Sequence, residues 1–214
     1  MIKLMIVDDH HLLRAGLRNI IEAAGGIEIV AEAATGEEAI RLNRDKRPDV
    51  ILMDISLPGL SGFETSERIM NARRNVRIIA LTAHARPPYT TRMLALGVAG
   101  YLTKACDASE LVQAIRKVHD GDRHFGSEIA QQLVVSLLPG TEQSPFERLT
   151  PRELEVAMML AAGHKPAAIG QRLNVGMKTV SSHKYNVFEK LGVDSEVGVL
   201  REAIRHGLIE AEQD

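Results

Sequence analysis

Aromatic residues make up only 3% of the 214 positions, and there is a single cysteine, Cys106. So few aromatics build no base-stacking platform, which disfavours the ordinary RNA-binding modules. One thiol excludes an intramolecular disulfide framework. No apolar run reaches the length of a membrane span, and Lys3, Asp8 and Asp9 interrupt the stretch in which a signal peptide would need an apolar core. A cytoplasmic protein without membrane contact is expected. The eight histidines show no metal-ligand spacing: His10-His11 falls where a helix starts, and His124, His164, His183 and His206 are scattered. They read as surface or phosphate-facing groups. A composition that is 45% hydrophobic and 25% charged supplies one sizeable core and a smaller second one.

Short apolar runs rich in Ile and Val occur at 2–7, 49–53 and 76–81, bounded by polar residues or proline, as in buried parallel strands. Residues 27–31 and 100–102 add two more. Between them, 11–24, 36–47, 61–72, 89–96 and 109–118 have helical spacing. The alternation predicts a doubly wound α/β domain over residues 1–120.

Asp8 and Asp9, Asp54, Thr82 and Lys104 each follow one of these runs. If the runs are parallel strands, their carboxyl ends meet at one edge of the sheet. Three carboxylates brought together repel one another unless a hard divalent cation sits among them, and Mg²⁺ suits an oxygen site that also takes phosphate. Asp54 is then the nucleophile, with Lys104 pairing with phosphoryl oxygens and the Thr82 hydroxyl donating to another. Any one acidic residue alone would read as a strand-end cap.

The segments Val7-Asp8-Asp9-His10, Leu52 to Gly59, Leu81-Thr82-Ala83 and Gly97 to Lys104 resemble the receiver domain of two-component response regulators, a flavodoxin-like fold. The resemblance implies that Asp54 takes phosphate from a sensor histidine kinase or its phosphotransfer domain. It implies that Mg²⁺ binds among Asp8, Asp9, Asp54 and the Ser56 carbonyl, and that Thr82 and Tyr101 form a switch in which Tyr101 swings inward. An aspartyl-phosphate enzyme of the haloacid dehalogenase type would need a carboxylate two residues after the nucleophile, where Ser56 stands. No enzyme turning over an outside substrate is expected.

Residues 121–145 read as a linker with an extra helix over 121–138, and a second domain spans 146–214. Thr150-Pro151-Arg152-Glu153 gives an N-cap, a proline at the first helical position and a capping-box glutamate. A helix over 166–173, a turn at 174–177 and a helix over 178–191 form a helix-turn-helix pattern. The second of these helices offers Lys178, Thr179, Ser181, Ser182, His183, Lys184 and Tyr185 to a DNA groove. Residues 146–214 carry nine Lys/Arg against ten Asp/Glu, so the domain is not basic. Within 165–190, however, five cations oppose only Glu189, a stripe able to meet phosphates.

Leu149 to Val156, Ile169 to Val175, Lys178 to His183 and Lys190 to Val193 resemble the four-helix LuxR-type DNA-binding domain, and with the receiver the whole is similar to NarL/FixJ regulators. Residues 129–133, 144–146 and 203–208 resemble the GacA/UvrY subgroup. That likeness implies a hybrid sensor kinase and control of small regulatory RNA genes; RNA polymerase is a further expected partner, and the modest affinity of one module leads to the expectation of a homodimer on promoter DNA. In the recognition helix Gly176-Met177 departs from the subgroup's Ser-Pro. The alternative is a receiver whose output domain binds protein instead of DNA.

Overall fold

The computed structural model describes residues 1–82, 89–127, 129–131 and 144–209, which fall into two compact units divided beyond residue 131. In the first, β1 (Ile2–Val7), β2 (Ile27–Ala33), β3 (Val50–Asp54), β4 (Arg77–Thr82), β5 (Gly100–Thr103) and β6 (His124–Phe125) form one parallel sheet of order β2-β1-β3-β4-β5-β6. The helices are α1 (His11–Ala24), α2 (Gly36–Lys46), α3 (Gly62–Ala72), α4 (Tyr89–Leu96) and α5 (Ala108–Asp120).

Strand alternation divides the apolar residues between two layers. Leu4, Ile6, Leu52, Ile79 and Leu102 pack with Leu17 and Ile21 of α1 and with Leu111 and Ile115 of α5. Met5, Val7, Ile51, Met53, Ile78 and Tyr101 pack with Ala39 of α2, Ile69 of α3 and Met93 of α4. Burial on both faces explains why these strands read as unbroken apolar runs. The chain leaves β1 for β2 on one side and returns to β3 on the other, so a crevice opens at the carboxyl ends of β1 and β3.

Past residue 120 the sheet gains β6, which the sequence does not announce. Two residues, one of them polar, make no apolar run, and the strand is held by its backbone: His124 N donates to Ala99 O at 3.0 Å and Gly126 N to Tyr101 O at 3.0 Å. A Cβ on Gly100 would lie 3.0 Å from Ile79 Cγ1 and 3.1 Å from His124 O, so glycine lets β6 close on β5. Of the helix expected over 121–138, residues 129–131 are helical, with Ile129 buried against the first layer. Positions 132–143 lie outside the described residues.

The second unit is helical: a 3-10 turn at Pro145–Arg148, then α6 (Pro151–Ala161), α7 (Pro166–Arg172), α8 (Met177–Leu191) and α9 (Glu196–Arg205). Val156, Leu160, Ile169, Leu173 and Val180 form its core. A Cβ on Gly170 would lie 2.9 Å from Val175 O, so the α7–α8 turn folds back tightly only over glycine. The capping box is formed: Glu153 N donates to Thr150 Oγ1 at 3.3 Å, and Thr150 N donates to Glu153 Oε2 at 2.7 Å. The same buried carboxylate accepts from Asn186 Nδ2 at 3.1 Å and Lys190 Nζ at 2.6 Å, which ties the start of α6 to α8.

Burial alone would raise the Glu153 carboxyl, but the bonds from Lys190, the Thr150 amide and Asn186 hold it down to about 2. A carboxyl depressed by folding adds stability that is full above its unfolded value and is lost as pH falls towards the folded one. Calorimetry should therefore show the second unit's transition weakening between roughly pH 5 and pH 2, by on the order of 3 kcal/mol. Glu153→Gln should lower that transition at neutral pH and flatten its acid dependence. An unchanged midpoint would remove Glu153 from this role.

Candidate functional site

At the crevice the strand ends bring together the residues that the sequence singles out. Asp8 follows β1, Asp54 ends β3, Thr82 ends β4 and Lys104 follows β5. The Lys104 Nζ lies 2.7 Å from Asp54 Oδ2 and 2.8 Å from Asp8 Oδ2, bridging two carboxylates that are both buried. Its backbone helps to aim it, since Lys104 N donates to Thr82 O at 2.7 Å. The other Asp54 oxygen, Oδ1, accepts from Ser56 N at 3.0 Å.

Burial, with the Asp8 charge adding to it, pushes the Asp54 carboxyl above its ordinary value against the opposing pull of Lys104 and the Ser56 amide. Burial would lower the Lys104 ammonium, yet the hydrogen bonds and charges of Asp54 and Asp8 together carry it above its usual value.

Asp8, Asp9, His10 and Asp54 each present a ligand atom within 4.8 Å of the others. Three carboxylates against one ammonium leave two negative charges. Asp9 Oδ1 is buried without a hydrogen bond of ordinary geometry. Such a donor set fits a divalent cation.

Tyr101 differs from the expectation of an outward ring that swings in. Its side chain is already fully buried, packed in the layer formed with Met93 and Ile129. Burial drives its phenol well above the usual value, and the Thr82 hydroxyl offsets only part of that rise. The apolar area of the ring favours this place inside the layer.

Three contributors are not among the site residues that the sequence singles out, although His10 reads there as surface or phosphate-facing. His10 turns its ring to the carboxylates, with Nδ1 at 2.9 Å from Asp9 Oδ1 and 3.1 Å from Asp8 Oδ1. Arg14 Nη1 donates to Asp8 O at 2.5 Å. A Cβ on Gly62 would lie 1.8 Å from Asp54 O, so the start of α3 sits directly on the Asp54 backbone and only glycine fits. The Gly62 signal was within reach, four residues after the acidic motif's proline; the other two depend on side-chain direction.

In the second unit, Met177, Lys178, Thr179, Ser181, Ser182 and Tyr185 of α8 are exposed, with Tyr185 at 68%. Ser181 Oγ donates to Met177 O at 2.9 Å and Ser182 Oγ to Lys178 O at 3.1 Å, so both hydroxyls spend their proton on the helix and face outward as acceptors. His183 is half-buried. Lys184 is ion-paired with Glu196 of α9 and lies 5.2 Å from the Phe188 ring centroid. Lys190 is paired with Glu153. Of the five cations in the expected stripe, Lys165, Arg172 and Lys178 alone make no ion pair among the described residues.

The response regulator receiver domain family matches residues 4–116, and the bacterial regulatory protein luxR family matches residues 147–203. The chain belongs to the LuxR-type response regulators. Response regulator UvrY of Escherichia coli K12 is 43% identical over 213 residues, 99% of this chain and 98% of that protein. Response regulator GacA of Pseudomonas aeruginosa is 38% identical over 212 residues, 99% of each. Among solved structures, RcsB of Salmonella enterica serovar Typhimurium, bound to promoter P1flhDC in the presence of the phosphomimetic BeF3-, shares 25% identity with a TM-score of 0.69. It covers 94% of this chain and 97% of that one. The regulator is therefore a DNA-binding member of a two-component system.

No helix among the regulator's described residues is long and apolar enough to cross a membrane.

Proposed function

We propose that Asp54 is the phosphoacceptor and that its phosphorylation switches DNA binding by α8. A phosphohistidine of a sensor kinase, or of its phosphotransfer domain, is the donor: an Asp54 oxygen attacks phosphorus, the P–N bond breaks, and its electron pair stays on the imidazole. The single observation that carries this reading is the Lys104 ammonium held between Asp54 and Asp8 at the carboxyl ends of the strands. Lys104 pulls against the burial that raises the Asp54 carboxyl, and its charge is available to the oxygens of the incoming group. Thr82, at the end of the neighbouring strand, donates its hydroxyl to the phosphoryl group, and Tyr101 beneath it responds to that movement. A resident Mg²⁺, held by Asp8, Asp9, Asp54 and the Ser56 carbonyl, would supply charge neutralisation for the transferring phosphoryl group. The chain itself turns over no outside substrate.

In the second unit Lys178 meets DNA phosphates at the start of α8, while Thr179, Ser181, Ser182 and Tyr185 read base edges. His183 and Lys184 support that face from its side. Ser181 and Ser182, with their protons engaged, select base amino groups. A homodimer on paired half-sites fits the modest affinity of one such module. The DNA complex of RcsB supports promoter binding, and the likeness to UvrY and GacA supports a hybrid kinase partner, engagement of RNA polymerase, small regulatory RNA genes as targets, and a cytoplasmic location. The residue boundaries 1–120, 121–145 and 146–214 are the working division into receiver, linker and DNA-binding parts.

Incubation with labelled acetyl phosphate should label the protein and strengthen a gel shift, and Asp54→Asn should lose both effects while keeping its fold. Retained label on that variant would place the acceptor elsewhere.

Lys178→Ala should weaken binding across DNA sequences and reduce the salt slope by about one unit. Lys184→Ala should change the slope less, because Glu196 already neutralises Lys184. Titrations at several salt concentrations check both, and a full unit lost with Lys184→Ala but none with Lys178→Ala would reverse the assignment.

A further inference from the structure

The carboxyl ends of α2 and α3 gather cations at the edge of the sheet opposite the crevice. Each helix runs back to the amino end of the next strand, α2 towards β3 and α3 towards β4. Across residues 41–47 and 67–74 seven Lys/Arg oppose only Asp45 and Glu67, in a chain whose net charge is −2. Asn43, buried in α2, draws the two ends together: Arg47 N donates to its carbonyl at 3.2 Å and Arg73 Nη1 to its Oδ1 at 3.3 Å. Asp45 pairs with Arg41 at 3.9 Å. Arg44, Lys46, Arg47 and Arg74 are exposed, and with Arg73 they make no ion pair among the described residues. Asp49, just beyond α2, is half-buried and accepts from the Lys3 amide at 2.9 Å.

Helix-end electrostatics favour Arg44 and Lys46 in the last turn of α2. They do not account for Arg47, held at φ 46 where glycine fits at lower cost, or for Arg74, past the end of α3. None of the exposed large apolar side chains lies on either segment. The face therefore lacks the apolar anchor of a protein interface or of membrane insertion, and it has no exposed aromatic on which a base could stack. Forked guanidinium groups without apolar neighbours match the phosphates of a duplex. The second unit supplies few cations for that purpose: it is net acidic, and of its stripe only Lys165, Arg172 and Lys178 make no ion pair among the described residues. We propose that the face formed by the ends of α2 and α3 is a second DNA-contact surface, taking backbone phosphates of the duplex that α8 engages. The inference rests on the reading of α8 above. The two units share one chain, so DNA held by one is presented to the other at high effective concentration, and contacts that are weak alone add to affinity. They carry no sequence information.

The test compares four full-length proteins: the parent, Arg44→Gln/Arg47→Gln/Arg74→Gln, Arg44→Lys/Arg47→Lys/Arg74→Lys, and Lys178→Ala. Each is checked for fold by circular dichroism and titrated with a duplex longer than one operator at several salt concentrations. The Gln variant should lose about two to three units of salt slope, at about 0.9 for each phosphate contact, and the Lys variant should keep most of it. Backbone footprinting at low salt should show protected positions that the Gln variant loses and Lys178→Ala keeps. A Gln variant with the parent's slope and footprint overturns the surface, and a reduced slope for Lys178→Ala in the same series leaves α8 standing. A reduced slope for the Gln variant beside an unchanged one for Lys178→Ala keeps the surface and overturns the reading of α8. A Gln variant that keeps its DNA slope but loses binding to polyglutamate overturns the proposal and assigns the face to an acidic protein.

Discussion

One ammonium group organises the first unit's functional edge. Parallel strands with apolar faces bury Asp8 and Asp54 at their carboxyl ends, and two such carboxylates in a low-dielectric crevice repel. Lys104 reaches both, at 2.8 and 2.7 Å, and the α/β architecture is what lets it do so. β1, β3 and β5 must be parallel and in register for residues 8, 54 and 104 to end at one level, and the Lys104 amide bond to Thr82 O locks that level across the sheet. The remaining carboxylate oxygens form a donor set that fits a divalent cation. His10, Asp9 and the Ser56 amide complete the surroundings.

The second unit solves a comparable problem with the opposite sign. The helix proposed to face DNA needs cations that are not already neutralised, yet the domain as a whole carries slightly more acids than bases. Pairing divides the cations by role. Lys190 serves the buried Glu153 and Lys184 serves Glu196, both holding helices together, while Lys165, Arg172 and Lys178 are exposed and make no ion pair among the described residues. The neutral composition thus hides a small exposed positive surface.

Much of this was legible in the sequence because the first unit obeys local rules. The runs at 2–7, 11–24 and 89–96 match β1, α1 and α4 to the residue, since apolar periodicity and flanking polar residues set those limits. The convergence of Asp8, Asp54, Thr82 and Lys104 followed from placing each after a strand. What stayed hidden depends on contacts distant in sequence or on side-chain direction. β6 is too short to carry a pattern, Lys184 looks the same whether or not Glu196 reaches it, and the layer that takes Tyr101 is fixed by its strand register. His10 was legible as a helix start and as a surface or phosphate-facing group, but the turn of its ring to the carboxylates is set by the backbone.

The most direct test of the Lys104 bridge is the pH dependence of receiver stability in metal-free buffer, parent against Lys104→Met, which keeps the side-chain volume and removes the charge. The variant should be less stable by a few kcal/mol at pH 8, where Asp8 and Asp54 face each other ionised, as when one partner of a buried pair is removed. That deficit should shrink as pH falls and the carboxylates take up protons. A deficit that stays constant from pH 8 to pH 5, or none at any pH, would contradict the bridge as the interaction on which the site is built.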